Sequence, residues 1–299
     1  MNTLPPFDLH LHSKYSNDGE YEVSYIVEQC VKKGVQTFSL TDHNRVRGID
    51  EAKQQALQHG LSFVPGIEVD CCFKGTNLHL LGYNISWQSN DFESLDREVS
   101  GKLTAAFSEM IANIRKLGFE VDEREVLAKA EGEDPIPELI AEVMLSDERY
   151  ATAMLKPYMT GGARSDMPFL NFYMDYFAQG KPAYVHVDYM SFADAVALIR
   201  DNDGTPVVAH PGLNLKGKEE LIEKLLAAGA AGMEVFNNYH TTEQCAYFAE
   251  LTKKQNAIMT CGSDAHGKIK PLIEVGCYLF DARYSDYLAG SVKQLISVS

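Results

Sequence analysis

The first apolar run of the chain, Phe7-Asp8-Leu9-His10-Leu11-His12, alternates and sets two histidines two residues apart. In a β-strand, residues i and i+2 leave the same face. The run therefore predicts a strand from whose end two imidazoles emerge together. A polar loop with turn chemistry, residues 13–20, comes next. Apolar positions then recur at Val23, Ile26, Val27, Cys30 and Val31 ahead of Gly34, which predicts a helix over residues 23–33 with a glycine stop. Residues 37–40 read as a second strand leading into Thr41-Asp42-His43-Asn44. A helix over residues 48–59 closes at Gly60. Residues 62–69 are strand material ending at an acid, Glu68, and residues 77–83 form a further strand with His79 inside it.

This alternation stops at about residue 91. From there to residue 179 the pattern is mostly helical, with one long helix expected over residues 92–117. Gly132, Pro135, Pro137 and the pair Gly161-Gly162 interrupt it. Phe169, Phe172, Tyr173, Tyr176 and Phe177 fall close together and are expected to form the core of this segment. The rhythm returns with strand material at residues 180–185, 206–212, 232–236 and 258–266. Helices are expected between them, over residues 192–202, 218–228 and 242–255. Alternating strands and helices imply a mostly parallel sheet or barrel. The expected organisation is an α/β barrel built from residues 1–90 and 180–299, with residues 91–179 as an inserted helical subdomain capping the site.

Composition narrows the class. The chain has 299 residues, 45% of them hydrophobic and 23% charged, as in an ordinary soluble globular protein. No apolar run approaches the roughly 20 residues of a membrane span. The opening Met1–Pro6 has neither a basic nor an apolar export region, so a cytoplasmic location is expected. Six cysteines show no CxxC pair and read as buried free thiols. The net charge of -15 disfavours stable binding of duplex nucleic acid but not of a small phosphorylated substrate.

The chemistry lies at the strand ends. His10, His12, His43, Glu68, His210, Asp264 and His266 all fall at or near the C-terminal ends of expected strands, the edge where parallel β/α architectures carry their active sites. So many imidazoles and carboxylates at one edge point to bound divalent metal.

The motifs Asp8-Leu9-His10-Leu11-His12-Ser13, Thr41-Asp42-His43-Asn44, Gly66-Ile67-Glu68, Ala209-His210-Pro211-Gly212 and Gly262-Ser263-Asp264-Ala265-His266-Gly267 resemble, in order, those of the PHP (polymerase and histidinol phosphatase) family. The resemblance covers both ends of the chain and leaves out the middle. It implies a distorted (β/α)7 barrel of the amidohydrolase-like kind. It also implies up to three divalent ions, Mn, Zn or Fe in view of the mixed nitrogen and oxygen donors. Carried over residue by residue, His10, His12, Glu68 and Asp264 hold the first ion and form the catalytic core. Glu68, His79 and His210 hold the second. Asp18, His43 and His266 hold the third, with Asp18 serving in place of Asn17.

The implied activity is hydrolysis of phosphate esters of a small metabolite or nucleotide by a metal-activated hydroxide. Cyclic-phosphate phosphodiesterase or 5'-3' exonuclease action is the alternative. A non-catalytic metal-binding module and a C–N hydrolase fit the motifs less well. Lys14, Arg45, Arg164, Lys181, His186 and Asn238 are the candidate substrate contacts.

Overall fold

The computed structural model describes residues 4–296. Met1–Thr3, part of the stretch read for an export signal, lie outside them.

The strands are β1 (Phe7–Asp8), β2 (Thr37–Leu40), β3 (Ser62–Phe73), β4 (Thr76–Tyr83), β5 (Met190–Ser191), β6 (Thr205–Val208), β7 (Gly232–Phe236) and β8 (Ile258–Cys261). They form one sheet in the order β1-β2-β3-β4-β6-β7-β8, with β5 off this path against β3. Past the formal strand ends, the Leu9 N–H donates to the Cys261 carbonyl (3.0 Å) and the His12 N–H to the Ala265 carbonyl (3.1 Å). Leu11 also bridges Ala265 in parallel. These contacts bring the exit of β8 against the exit of β1, and the sheet is a nearly closed barrel. The distorted seven-stranded barrel expected from the sequence is thus the architecture. Its distortion is β4, which runs antiparallel to both neighbours, β3 and β6.

That reversal corrects one reading. Glu68 is not at a strand end; β3 continues to Phe73 and returns as β4 with Asp70 opposite His79. Lys74 and Gly75 both have positive φ (51° and 76°), the geometry of a two-residue hairpin turn whose twist suits the flanking strands. The hairpin carries His79 back toward the level of Glu68. A second correction concerns residues 180–185, where no strand forms. Gly180 turns the chain at φ 83° and Pro182 has no N–H to give a ladder; the sheet resumes only at β5.

Helices cover the barrel as their apolar periods require. Val23–Lys33 buries Val23, Ile26, Val27 and Cys30 and ends on Gly34, whose N–H reaches the Cys30 and Val31 carbonyls. Ile49–His59 ends in the same way on Gly60. Thr242–Lys254 opens with a reciprocal capping box between Thr241 and Gln244. Among the described residues, no helix is long and apolar enough to cross a membrane.

The chain divides into two compact units. The first holds the barrel: residues up to Leu95, Tyr189–His266 and residues from Ile273 on. The second comprises Asp96–Asp188 with Gly267–Leu272. Its helices are most of Asn90–Lys116, then Glu123–Ala130, Pro137–Ser146 and Pro168–Tyr176. Phe172 is fully buried at its centre. It meets Phe119 and Tyr158 edge-on, with ring centroids at 5.3 and 5.1 Å, and Tyr176 at 4.7 Å. The aromatic run is therefore core.

Candidate metal centre

Two buried aspartates outside the candidate ligand sets hold the loops that carry those sets in place. At the end of β1, the Asp8 carboxylate accepts from the Ser263 N–H (2.9 Å), the Ser263 hydroxyl (2.7 Å) and the Gly276 N–H (2.7 Å). Just past β2, Asp42 accepts from the Ser13 N–H (2.6 Å) and hydroxyl (2.8 Å). Burial pushes each carboxyl up to about 6, against these hydrogen bonds. Each strand-end acid thus clamps the loop of a neighbouring strand. Gly262 completes the fit, because a Cβ there would lie 2.3 Å from His10 Cβ.

Between these clamps the ligand atoms converge. His10 Nε2 lies 2.9 Å from Glu68 Oε2 and 3.3 Å from Asp264 Oδ1. His12 Nε2 is 3.1 Å from each of the same two oxygens. The other Glu68 oxygen, Oε1, lies 2.9 Å from His79 Nδ1 and 3.0 Å from His210 Nε2. Asp18 Oδ2 lies 3.0 Å from His266 Nε2 and 3.7 Å from His43 Nε2. His10, His12, Glu68 and Asp264 form one set whose ligand atoms all lie within 4.8 Å of one another. Glu68, His79 and His210 form a second, Asp18, His43 and His266, joined by His12, a third, and His43, Asp70 and His79 a fourth. Glu68 serves two sets with different oxygens.

The backbone bends to achieve this. His210 and Asp264 have φ of 20° and 60°. Aspartate tolerates the left-handed region. The histidine conformation costs on the order of 1–3 kcal/mol and persists because its surroundings enforce it.

The donors fit divalent cations. His12 Nε2 is buried and makes no hydrogen bond within the described residues, although two carboxylate oxygens lie 3.1 Å away. Atoms this close without alignment aim at a shared point and not at each other. Burial alone would raise the Glu68 carboxyl. The imidazoles of His10, His43 and His79 outweigh that and hold it well below the ordinary carboxylate range, so it stays an anion. Asp18 follows the same balance, with burial opposed by His266 and His43. Imidazole nitrogens mixed with carboxylate oxygens suit Mn, Zn or Fe better than Mg or Ca.

The PHP domain model matches residues 8–145, from the clamp beneath His10 through β4 and on into the second unit. Over those residues the chain matches the PHP domain. Its relatives include a phosphoribosyl 1,2-cyclic phosphate 1,2-diphosphodiesterase of Eggerthella lenta, 27% identical over 90% of this chain and 97% of that one. A 3',5'-nucleoside bisphosphate phosphatase of Chromobacterium violaceum is 27% identical over 87% of this chain and 86% of the relative. A 5'-3' exoribonuclease of Haemophilus influenzae is 26% identical over 87% and 89%. Among solved structures, a candidate metal-dependent phosphoesterase from Bifidobacterium adolescentis superposes with a TM-score of 0.77. It is 22% identical and covers 98% of this chain and 96% of its own, a likeness of fold.

The centre brings together all nine side chains expected as ligands. Asp18 points into it, with Oδ2 3.0 Å from His266 Nε2.

The expected substrate contacts fare differently. Lys14 is ion-paired to Glu22 at the surface (2.6 Å). Arg45 is buried, with Nη1 donating to the Tyr15 carbonyl (3.4 Å). Asn238 spends its amide on the Ser263 and Cys277 carbonyls (2.8 and 2.9 Å), which tie the β8 exit in place. In the second unit, Arg164 pairs with both oxygens of Asp175 (3.1 and 3.0 Å). Lys181 and His186 are exposed there, with His186 Nδ1 3.3 Å from the Tyr184 hydroxyl.

Three residues of the centre escaped the sequence reading. Glu234 lies 3.1 Å from His10 Nδ1. Asp70 lies 3.3 Å from His43 Nδ1 and 3.4 Å from His79 Nε2. The Tyr239 hydroxyl donates to Asp264 Oδ2 (2.5 Å). For two of them a signal existed. Asp70 shares a strand face with Glu68 by the i, i+2 rule. Glu234 is a charge inside an apolar strand, which a buried partner must explain.

Proposed function

We propose that this PHP protein is a metal-dependent hydrolase of phosphoesters, acting on a small phosphorylated molecule such as a nucleotide. The observation that carries the reading is the convergence of nine buried or half-buried ligand side chains, with Asp70 beside them, into four overlapping sets. His10, His12, Glu68 and Asp264 would hold one ion, Glu68, His79 and His210 a second, and Asp18, His43 and His266 a third. Divalent ions held there supply positive charge for phosphate oxygens and lower the pKa of water toward neutrality. The chain's own part is positional. Asp8 and Asp42 fix the loops, Glu68 spans two sets, and the buried ligands exclude bulk water from the floor of the site. No residue is assigned as a separate general acid.

A small substrate fits the net charge of -15, which repels a polyanion away from the centre itself. The cyclic-phosphate and bisphosphate relatives support the same choice. The exoribonuclease relative favours a second reading, attack on ribonucleotide chain ends. Six unpaired cysteines suit a reducing, cytoplasmic setting.

The test is metal analysis together with a phosphoester panel. The protein is loaded with Mn²⁺, Zn²⁺ or Fe²⁺ and its bound metal is counted. It is then offered nucleoside bisphosphates, cyclic phosphates, sugar phosphates and short oligoribonucleotides. Two or more ions per chain and turnover of a small ester are expected. Preference for oligonucleotides selects the second reading. Metal-loaded protein inert toward the whole panel refutes both.

A further inference from the structure

We propose that Glu234 is a positioning residue that ties the His10 set to the His210 set, so that its loss weakens two ions at once and spares the third. The inference rests on the three-set reading of the centre.

Glu234 lies on β7 and is fully buried. One oxygen, Oε1, lies 3.1 Å from His10 Nδ1. The other, Oε2, accepts the backbone N–H of His210 (2.9 Å) and the side-chain amide of Asn237 (3.1 Å). An ionised carboxylate only accepts, so the His10 nitrogen facing it carries the hydrogen. The lone pair of His10 is then on Nε2, the atom that meets Glu68 and Asp264. The second oxygen acts on backbone. It satisfies the N–H of His210, the residue held at φ 20°, and so helps maintain the conformation that sends His210 Nε2 toward Glu68. One carboxylate therefore selects a tautomer in the first set and a backbone conformation in the second. Among the described residues its hydrogen-bond partners are His10, His210 and Asn237, and none is His43, Asp18 or His266.

Glutamine is an informative replacement because it is nearly isosteric and cannot meet both demands. With its oxygen toward His10, its NH2 opposes two donors, the His210 N–H and the Asn237 amide. Turned round, the NH2 faces His10 Nδ1, which must then accept, and the hydrogen moves to Nε2, where it blocks ligation. Either way one of the two sets is directly impaired, and the other loses its shared carboxylate charge.

The experiment compares wild type and Glu234→Gln at graded, limiting Zn²⁺. Occupancy of each set is read by anomalous diffraction and overall affinity by chelator competition. The variant is expected to bind 10- to 100-fold more weakly at the sets containing His10 and His210, the usual effect of losing an outer-sphere partner. The set around His43 and His266 should fill as in wild type. Equal occupancy of all sets in the two proteins would overturn the proposal, as would a loss spread evenly over all three. Wild type that takes up no zinc at His10 and His12 would instead overturn the reading of the centre. Should the variant fail to fold, ¹⁵N NMR of histidine-labelled, Zn²⁺-loaded wild type decides. Hydrogen on Nδ1 of His10 upholds the assignment, and hydrogen on Nε2 refutes it.

Discussion

His240 makes a strong prediction because it is a buried histidine that must stay neutral. Its ring lies between two backbone groups. Nδ1 donates to the Val235 carbonyl (2.9 Å), and Nε2 accepts the Gly212 N–H (2.9 Å). Both nitrogens are committed, one as donor and one as acceptor, and only the neutral ring can do this. Burial, with the smaller opposing pull of the Val235 hydrogen bond, lowers its pKa to about 4. In the unfolded chain the value returns to about 6.5.

The unfolded state therefore binds the proton more readily, and acid favours unfolding. The contribution is fully present above about pH 6.5 and is lost progressively down to about pH 4. At 1.36 kcal/mol per pH unit, the loss is about 2 kcal/mol by pH 5 and about 3 kcal/mol by pH 4. The protonated ring also loses its hold on Gly212, two residues from His210. The assay is urea unfolding of metal-free protein at pH 7, 5 and 4, wild type against His240→Asn. The other acid-sensitive groups are common to both chains, so the difference in pH dependence isolates His240. The variant should be less stable at pH 7 and should lose about 3 kcal/mol less than wild type between pH 7 and pH 4. Parallel pH profiles would refute the reasoning.

Gly262→Ala places a Cβ 2.3 Å from His10 Cβ and 2.7 Å from its backbone nitrogen, forcing the exits of β1 and β8 apart. A loss of about 1–3 kcal/mol in thermal unfolding and of ions at the His10 set is expected, and an unaltered protein would show that the loops adapt. Tyr239→Phe removes the hydroxyl donated to Asp264 Oδ2. Zinc affinity at the first set should fall roughly 10-fold with the fold kept, as chelator competition can check. Phe172→Ala empties the centre of the second unit and should cost about 3–5 kcal/mol in denaturant unfolding. Asp18→Ala should remove one ion per chain and Asn17→Ala none, counted by elemental analysis; the reverse result would place the ligand at Asn17.

The elements legible in the sequence are those whose signals are local. The helix Val23–Lys33 has its apolar residues on one face and a glycine at its end, and it formed with those limits. The pair His10 and His12 follows from strand period alone. Glu68 was read at a strand end because its run looks like the other parallel strands. Its true place, inside a hairpin, depends on β4 inserting antiparallel between β3 and β6. The candidate basic residues fell short for a related reason. A charge beside a ligand loop is indistinguishable in sequence from one spent on a neighbour, as Lys14 is on Glu22.

The donor types, the alternation of strands and helices, and the motifs that carry the donors are all legible along the chain. Each depends on residue identity and short spacing, which the chain states directly. Which oxygen of Glu68 meets which imidazole depends on the fold. It alone showed that the Asp8 and Asp42 carboxylates hold neighbouring loops, and that Glu234, 224 positions from His10, lies against its ring. Those relations are set by barrel closure. Closure brings the end of β8 beside the end of β1, and so places in contact groups that no local pattern connects.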